Sequence, residues 1–254
     1  MPILHKFQNH DWKNGFWTEN SILKTDHYKP EVLFIGTFNH GWKCNPSDFF
    51  YGRGMFMWPI MANLFMHNEN HLTRARNIDN DVPTLNEIFD ICKKGKIIFA
   101  DIIKGTKINI PIIENDGYVL VNNVYNWTDY KDSHLNYFGQ QNWLDDNTNE
   151  IIEYINNTPS IKYIYFTFKT GGNWIINRKR FISNNINIPS CSVFTPTGNG
   201  FGNNLPIPFN SKIKSLTHCW VWNNLQHQIP INKIGYCNLN HDWLIQNGVN
   251  PNNF

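Results

Sequence analysis

The chain has 254 residues, which is long enough to bury a substantial core in one large domain or two small ones. Hydrophobic residues make up 41% of it and charged residues 17%, a composition that excludes a disordered protein. The formal net charge of +2 neither requires nor excludes a nucleic-acid partner, because a local basic face is enough to bind one.

The five cysteines are odd in number and include no CxxC pair, which favours reduced thiols over a disulfide framework, a zinc ribbon or an iron–sulfur cluster. No apolar run approaches the ~20 residues that a membrane span needs, and the first residues lack the apolar core of a signal peptide. Without a repeat or a linker in the sequence, we expect one domain over residues 1–254. We expect this protein to be monomeric and cytoplasmic, without a membrane partner, a metal or a cofactor.

Residues 1–30 mix aromatic and polar side chains without a clean period, which predicts an N-terminal arm packed across the domain. Residues 32–35 then predict a buried strand, and Gly36 ends it. The following loop, residues 36–51, is long for a connection between a strand and a helix, and an apolar segment over 57–65 predicts that helix. The loop mixes aromatic and polar side chains suited to gripping a flat polar ring: Phe38, Asn39, His40, Trp42, Asp48, Phe49, Phe50 and Tyr51. The alternative is a plain connection without a site.

The rest of the chain alternates helices with strands and ends in an aromatic, Asn-rich tail over 223–254. A capping box of Thr84 and Glu87 predicts the start of a helix that Gly95 ends. The stretch 106–138 has no strong period and predicts irregular loop. Further strands are predicted over 96–103, 161–168 and 189–194, and helices over 84–94, 148–156, 174–182 and 211–222. This order predicts an α/β fold of three layers, α/β/α, with a central, mainly parallel four-stranded sheet.

Three of the predicted strands end at candidate site residues: the loop after Gly36, the carboxylate Asp101, and the glycine-rich loop 195–204. In a parallel sheet these carboxyl ends share one edge, so they can converge on one cleft. For Asp101 the alternative is a loop cap, and for the glycine-rich loop it is a plain tight connection.

The glycine-rich loop, TPTGNGFGNN, is a candidate phosphate contact. Its glycines allow backbone amides to approach a phosphate closely, and Thr195, Thr197 and Asn199 can donate to phosphate oxygens. It does not match GxxxxGK[ST], which argues against an ATP-type P-loop.

Several motifs resemble the uracil-DNA glycosylase superfamily, nearest its hypoxanthine-type and mismatch-type branch. The specific motif is LFIGTF at 33–38, and FFYG at 49–52 and WPI at 58–60 follow it in the order and position of the family. Three later motifs match by order and position, namely IIFADII with Asp101, IYFTFK with Thr167, and FTPTGNG. The resemblance spans residues 31 to about 222.

The resemblance implies an enzyme that flips a base out of DNA and cleaves its N-glycosidic bond without a cofactor. Asn39 and His40 would stabilise the leaving base, and Asp48 would position water. The base pocket would comprise Thr37, Phe38, Phe50, Tyr51, Asp101 and Thr167, where each aromatic ring also has an ordinary core role as a competing explanation. The flanking DNA phosphates would be held by Lys169, Thr195, Pro196, Thr197, Gly198 and Asn199.

The sequence departs from the family pattern at four positions. Asn39 replaces the usual Pro of the turn, Phe38 replaces the Asp or Asn of the uracil-specific branches, Met55 falls where the hypoxanthine branch has a catalytic Asn, and Thr167 replaces the Asn of an Asn-Gly pair. Uracil is therefore not the expected substrate. Either the catalytic group has moved, to Asn39 or Asp48, or the activity is lost.

These observations predict a DNA glycosylase that acts on a deaminated or bulky modified base, such as those of phage DNA. No lysine is placed as a Schiff-base nucleophile, so the enzyme would be monofunctional. Two alternatives stay open, a catalytically inactive nucleic-acid-binding relative and an α/β enzyme acting on a free nucleotide.

Overall fold

The computed structural model describes residues 2–40, 48–52, 56–65, 83–108, 118–121, 124–127, 132–168, 172–196, 212–221 and 241–247. The strands in these ranges are β1 (Phe16–Glu19), β2 (Ile22–Thr25), β3 (Val32–Gly36), β4 (Ile97–Asp101), β5 (Ile103–Thr106), β6 (Tyr118–Val121), β7 (Val124–Trp127), β8 (Leu144–Asp146), β9 (Tyr163–Phe166) and β10 (Ser190–Ser192). The helices are α1 (Met57–Phe65), α2 (Leu85–Gly95), α3 (Asp132–Gln140), α4 (Thr148–Asn156), α5 (Asn173–Asn184), α6 (Lys212–Val221) and α7 (His241–Gln246).

A six-stranded mixed sheet in the order β1-β2-β4-β3-β9-β10 organises the fold. Strands β4, β3, β9 and β10 run parallel to one another, and β2 pairs antiparallel with β4. Strands β4, β9 and β10 lie within the ranges predicted from the sequence, and β3 extends one residue beyond its predicted range, to Gly36. The α/β class and the mainly parallel character of the sheet are therefore confirmed.

The predicted number of four strands is wrong, because the N-terminal arm supplies two more. Strands β1 and β2 pair as an antiparallel hairpin. Its two turn residues, Asn20 and Ser21, have φ angles of 50° and 58°, which is the left-handed turn that matches the twist of a hairpin. The hairpin extends the sheet beyond β4 instead of crossing the domain as a loose arm.

Two stretches predicted to lack regular structure also contain elements. Within 106–138, the hairpin of β6 and β7 and the start of α3 interrupt the predicted loop. Within the predicted tail, residues 241–246 form α7. Strand β5 pairs with β8 in a separate two-stranded sheet, so the chain turns away from the main sheet directly after β4.

The core forms where β3 lies in the middle of the sheet with every residue buried. Phe34 on β3 is in register with Phe99 and Tyr165, and its ring stacks on both and on Trp220 of α6. Phe166, the next residue along β9, contacts Lys179 of α5. Helices α1, α2 and α6 form one contacting group, and α3, α4 and α5 form another.

The capping box predicted for α2 is confirmed. Thr84 Oγ1 accepts a hydrogen bond from the backbone N–H of Glu87 at 3.3 Å, and Glu87 Oε2 accepts one from the backbone N–H of Thr84 at 2.6 Å. The helix ends at Gly95, and Lys96 caps it in the left-handed conformation. Across the described ranges, none of the helices is long and apolar enough to cross a membrane.

We expect Phe34→Ala to lower the free energy of unfolding by about 3–5 kcal/mol, because it leaves a cavity among stacked rings that cannot close. Phe181→Ala is the matched control, since Phe181 is 43% exposed and should cost less than about 0.5 kcal/mol. Urea unfolding of both variants measures the difference. Equal losses would contradict the assignment of Phe34 to the core.

Candidate functional site

The carboxyl ends of β3, β4 and β9 meet at one edge of the sheet. Gly36 at the end of β3 is in register with Asp101 at the end of β4. Thr167 follows β9, and its backbone N–H donates to the carbonyl of Ile35 at 3.0 Å. The structure therefore brings the start of the long loop, Asp101 and Thr167 side by side.

Asp101 is the centre of a hydrogen-bonded cluster, although only 1% of it is exposed. Its Oδ2 accepts hydrogen bonds from Asn39 Nδ2 at 2.5 Å and from His5 Nε2 at 2.8 Å. A buried carboxylate needs such donors to offset its desolvation. Asn39 is half-buried, so its carboxamide links the buried carboxylate to the surface.

His5 comes from the N-terminal arm, and sequence reasoning missed it. Its side chain is fully buried, and its Nδ1 accepts a hydrogen bond from the backbone N–H of Phe7 at 3.0 Å. Because Nδ1 is an acceptor, the proton lies on Nε2, which donates to Asp101. No motif surrounds His5, and only the fold shows its partner, 96 residues away.

A second hydrogen-bonded pair, Tyr51 and Thr167, lies on the other side of Gly36. The hydroxyl groups of Tyr51 and Thr167 lie 2.7 Å apart, and the Thr167 hydroxyl donates to the carbonyl of Ile35 at 3.3 Å. Tyr51 therefore donates to Thr167. A Cβ atom added to Gly36 would lie 2.3 Å from Asp101 Oδ1 and 2.6 Å from the Tyr51 hydroxyl, so position 36 must be glycine for both groups to approach.

Tyr51 occupies this place in an unusual backbone conformation. Its φ of 63° is in the left-handed region, which a bulky residue seldom adopts and which costs on the order of 1 kcal/mol or more. Burial raises the pKa of the Tyr51 hydroxyl well above its ordinary value, and the nearby Asp101 carboxylate raises it further. The group is therefore a neutral hydrogen-bond donor at physiological pH.

The backbone of Asp101 is also fixed, by residues that sequence reasoning did not single out. Its N–H donates to the carbonyl of Ser21 at 3.2 Å, in the turn of the β1–β2 hairpin. Its carbonyl accepts from Asn147 Nδ2 at 2.9 Å, and the same Nδ2 donates to the carbonyl of Asn20. Asp101 Oδ1 is buried and has no hydrogen-bond partner among the residues that the structure describes.

His40 lies next to this cluster and is 7% exposed. It pairs with His5 through an isolated backbone bridge. Burial lowers the pKa of His40 to about 4, and repulsion from the charge of Lys6 contributes. Its imidazole is therefore neutral at pH 7, and it can serve as a hydrogen-bond donor or acceptor but not as a cation.

The predicted stacking residues differ in exposure. Phe50 is fully buried and stacks on Phe99 with ring centroids 5.8 Å apart, so its ring belongs to the core. Phe38 is 8% exposed and lies 6.0 Å from the ring of His5. Tyr51 and Thr37 are half-buried. Of the three predicted rings, Tyr51 is the one best placed for a ligand to reach.

Asp48 is half-buried at the start of the described segment 48–52. Its backbone carbonyl accepts a hydrogen bond from the indole of Trp12 at 3.3 Å, which ties the loop to the N-terminal arm. Across the described ranges, no three His, Cys, Asp or Glu side chains form a group that could hold a metal ion.

Most of the predicted phosphate-binding residues lie outside the described residues. These are Lys169, Thr197, Gly198 and Asn199, and the same holds for Met55. Thr195 is half-buried and Pro196 is buried. The two residues follow Phe194, whose carbonyl accepts a hydrogen bond from the indole of Trp220 at 3.0 Å.

The fold and the site thus define an α/β protein with a polar cluster at the carboxyl edge of its parallel strands. Comparison of the chain with protein-family models, with curated proteins and with solved structures finds no match in any of the three. The resemblance to DNA glycosylases therefore stays a prediction from motifs.

We expect Gly36→Ala to destabilise the protein by about 1–3 kcal/mol, because the new methyl group would force Asp101 or Tyr51 to move. Thermal unfolding measures the loss. Tyr51→Phe removes one of the two clashing oxygens, so adding Gly36→Ala in that background should cost less. An equal cost in both backgrounds would contradict the close approach of the Tyr51 hydroxyl.

The pKa of His40 makes stability depend on pH. Between pH 6.5 and about 4 the unfolded chain binds a proton at His40 that the folded chain does not, so stability falls as the pH decreases through this window. We expect this loss to be about 3 kcal/mol and His40→Gln to reduce it. Unfolding at several pH values measures the slope, and titration of the His40 ring near pH 6.5 by NMR would contradict the burial argument.

Proposed function

We propose that this protein is a monofunctional DNA glycosylase that hydrolyses the N-glycosidic bond of a flipped-out, non-standard base and leaves an abasic site. The observation that carries the proposal is the hydrogen bond from the Asn39 carboxamide to the buried carboxylate of Asp101. It holds a polar group, half-exposed, in the loop that the motif resemblance assigns to catalysis.

Hydrolysis of this bond requires water to attack C1′ of the sugar while the base leaves with the bonding electrons. Positive charge develops on the sugar and negative charge on the base, and fixed dipoles stabilise both. Because Asn39 Nδ2 donates to Asp101, the carboxamide oxygen is left as an acceptor, and it can orient the attacking water. Its second N–H and the neutral imidazole of His40 can donate to the leaving base.

Tyr51 and Thr167 are the residues that would recognise the flipped-out base. Their hydroxyls form a fixed pair next to Gly36, and a half-buried Tyr51 ring can stack on a flat base. Phe38 and Thr167 stand where uracil-reading relatives carry amide or carboxylate groups. We therefore assign the enzyme a deaminated or bulky modified base, as in phage-type DNA, instead of uracil.

The fold also supports the resemblance. Trp220 of α6 stacks on Phe34, while Lys179 of α5 contacts Phe166, and the register places Phe34 and Phe166 on opposite faces of the sheet. These contacts favour the three-layer α/β/α arrangement that the resemblance implies. The two extra strands of the hairpin lie at one edge of the sheet, beyond β4.

The first experiment is base release from a panel of DNAs, measured by mass spectrometry. The panel contains uracil, hypoxanthine, xanthine, hydroxymethylated bases and glucosylated phage DNA. We expect release of one base class, and a loss of about 100-fold or more in Asn39→Ala because the water is no longer oriented. Asn177→Ala on the exposed side of α5 is the matched control and should retain full activity.

Asp48→Ala distinguishes the two candidates for the group that positions water. If it abolishes release while Asn39→Ala does not, Asp48 has that role. Absence of release from every DNA, with DNA binding retained in the wild type, would favour an inactive nucleic-acid-binding relative. Release from free nucleotides alone would favour an enzyme of nucleotide metabolism.

A further inference from the structure

We infer that His5 is a positioning residue of this site, and that the N-terminal segment 3–7 is part of the catalytic machinery. The inference rests on the proposed function in one respect, namely that the group being positioned is the Asn39 carboxamide. His5 acts on it through Asp101 and contacts no substrate itself.

His5 and Asn39 share one hydrogen-bond acceptor, and this geometry is the first evidence for the inference. His5 Nε2 and Asn39 Nδ2 both donate to the same oxygen, Asp101 Oδ2, at 2.8 and 2.5 Å. Two donors on one carboxylate oxygen fix the rotation of the carboxylate about its last bond. Without His5, the carboxylate can rotate and offer Asn39 a different oxygen in a different direction.

The protonation of His5 is fixed from the other side of its ring. The backbone N–H of Phe7 donates to Nδ1 at 3.0 Å, so the ring keeps its proton on Nε2 and donates it toward Asp101. The hydrogen bond from Phe7 therefore keeps the Nε2–H directed at Asp101 Oδ2. The ring is fully buried, so water cannot replace it in this role.

The backbone of the segment holds Asn39 independently. Lys6 N–H donates to the carbonyl of Asn39 at 2.7 Å, and His5 N–H donates to the carbonyl of Lys104 at 2.9 Å. Ile3 and Thr106 exchange two further hydrogen bonds, both 2.8 Å long. Asn39 is thus held at its main chain by Lys6 and at its side chain by the His5–Asp101 pair.

The energetic cost of burying His5 and Asp101 favours a functional role for this pair. A buried histidine and carboxylate lose hydration, and well-packed apolar residues of similar volume often stabilise a fold equally well or better. Apart from its polar partners, His5 is surrounded by the rings of Phe7, Phe38 and Phe50 at about 6 Å. A polar ring in this place is explained by the carboxylate that it orients and the carboxamide beyond it.

The test compares His5→Phe, which keeps an aromatic ring but removes the donor, with His5→Gln, which restores an N–H donor. We expect His5→Phe to lower kcat for base release by about 10–100-fold with little change in KM, because the carboxamide is misplaced while binding contacts remain. His5→Gln should recover part of the loss. The matched control is His10→Phe, an exposed histidine of the same arm, which should keep wild-type kcat.

A double-mutant cycle checks that His5 acts through Asn39. If it does, adding His5→Phe to Asn39→Ala should cost nothing further in kcat, since the group being positioned is already gone. Additive losses would overturn the inference. So would an unchanged kcat in a folded His5→Phe variant.

A second readout, measured on the folded proteins, does not depend on activity. In the wild-type protein, NMR should show the Nε2–H tautomer of His5 and a slowly exchanging Asn39 side-chain N–H that is bonded to carboxylate. In His5→Phe the exchange of that N–H should accelerate by at least 10-fold, and in His5→Gln, which restores a donor, it should accelerate less. An Nδ1–H tautomer in the wild type, or unchanged exchange in both variants, would overturn the inference.

The two readouts separate this inference from the proposed function. If no base is released from any DNA but the Asn39 N–H responds to His5 substitution, the positioning holds and the assigned reaction fails. If a base is released and neither kcat nor exchange responds, the reaction holds and the role of His5 fails.

Discussion

The arrangement of the site depends on one buried carboxylate. Asp101 ends a strand in the interior of the sheet, where desolvation would be costly without donors. The donors to its side chain come from two segments, the N-terminal arm through His5 and the loop after β3 through Asn39. Both segments are therefore held in place by satisfying the same charge, while the backbone N–H of Asp101 donates to the Ser21 carbonyl in the turn of the first hairpin. The hydrogen bonds that stabilise Asp101 also fix the groups around the cleft.

The main chain beside Asp101 is also constrained, because position 36 must be glycine. Asp101 Oδ1 and the Tyr51 hydroxyl both approach its Cα, and a side chain would separate them. The Tyr51 backbone adopts a strained left-handed conformation to bring its hydroxyl there. Strain of this kind persists only when the surrounding contacts enforce it, and here the Thr167 bond and the packing of Phe49 and Phe50 do so.

The parallel core was predictable because its signals are local. Apolar runs at 32–35, 96–103, 161–168 and 189–194 and the capping box of Thr84 each lie within a few residues. Asp101 and the loop after Gly36 could be placed at one edge because parallel strands align their carboxyl ends. The first hairpin was not predicted, since aromatic residues obscure its alternation and its Asn-Ser turn is a weaker signal than Asn-Gly. His5 could not be predicted, because nothing near it in the sequence points to a carboxylate 96 residues away.

The sequence separations within the cluster affect how the chain acquires its site. The side-chain bonds join residues 62, 96 and 116 positions apart, for Asn39–Asp101, His5–Asp101 and Tyr51–Thr167. Closing such long loops costs entropy that is recovered only when the sheet has formed. During synthesis, the Tyr51 hydroxyl lacks its Thr167 partner until β9 and Thr167 have left the ribosome. A partly folded chain can therefore contain most of the parallel core and still lack the site.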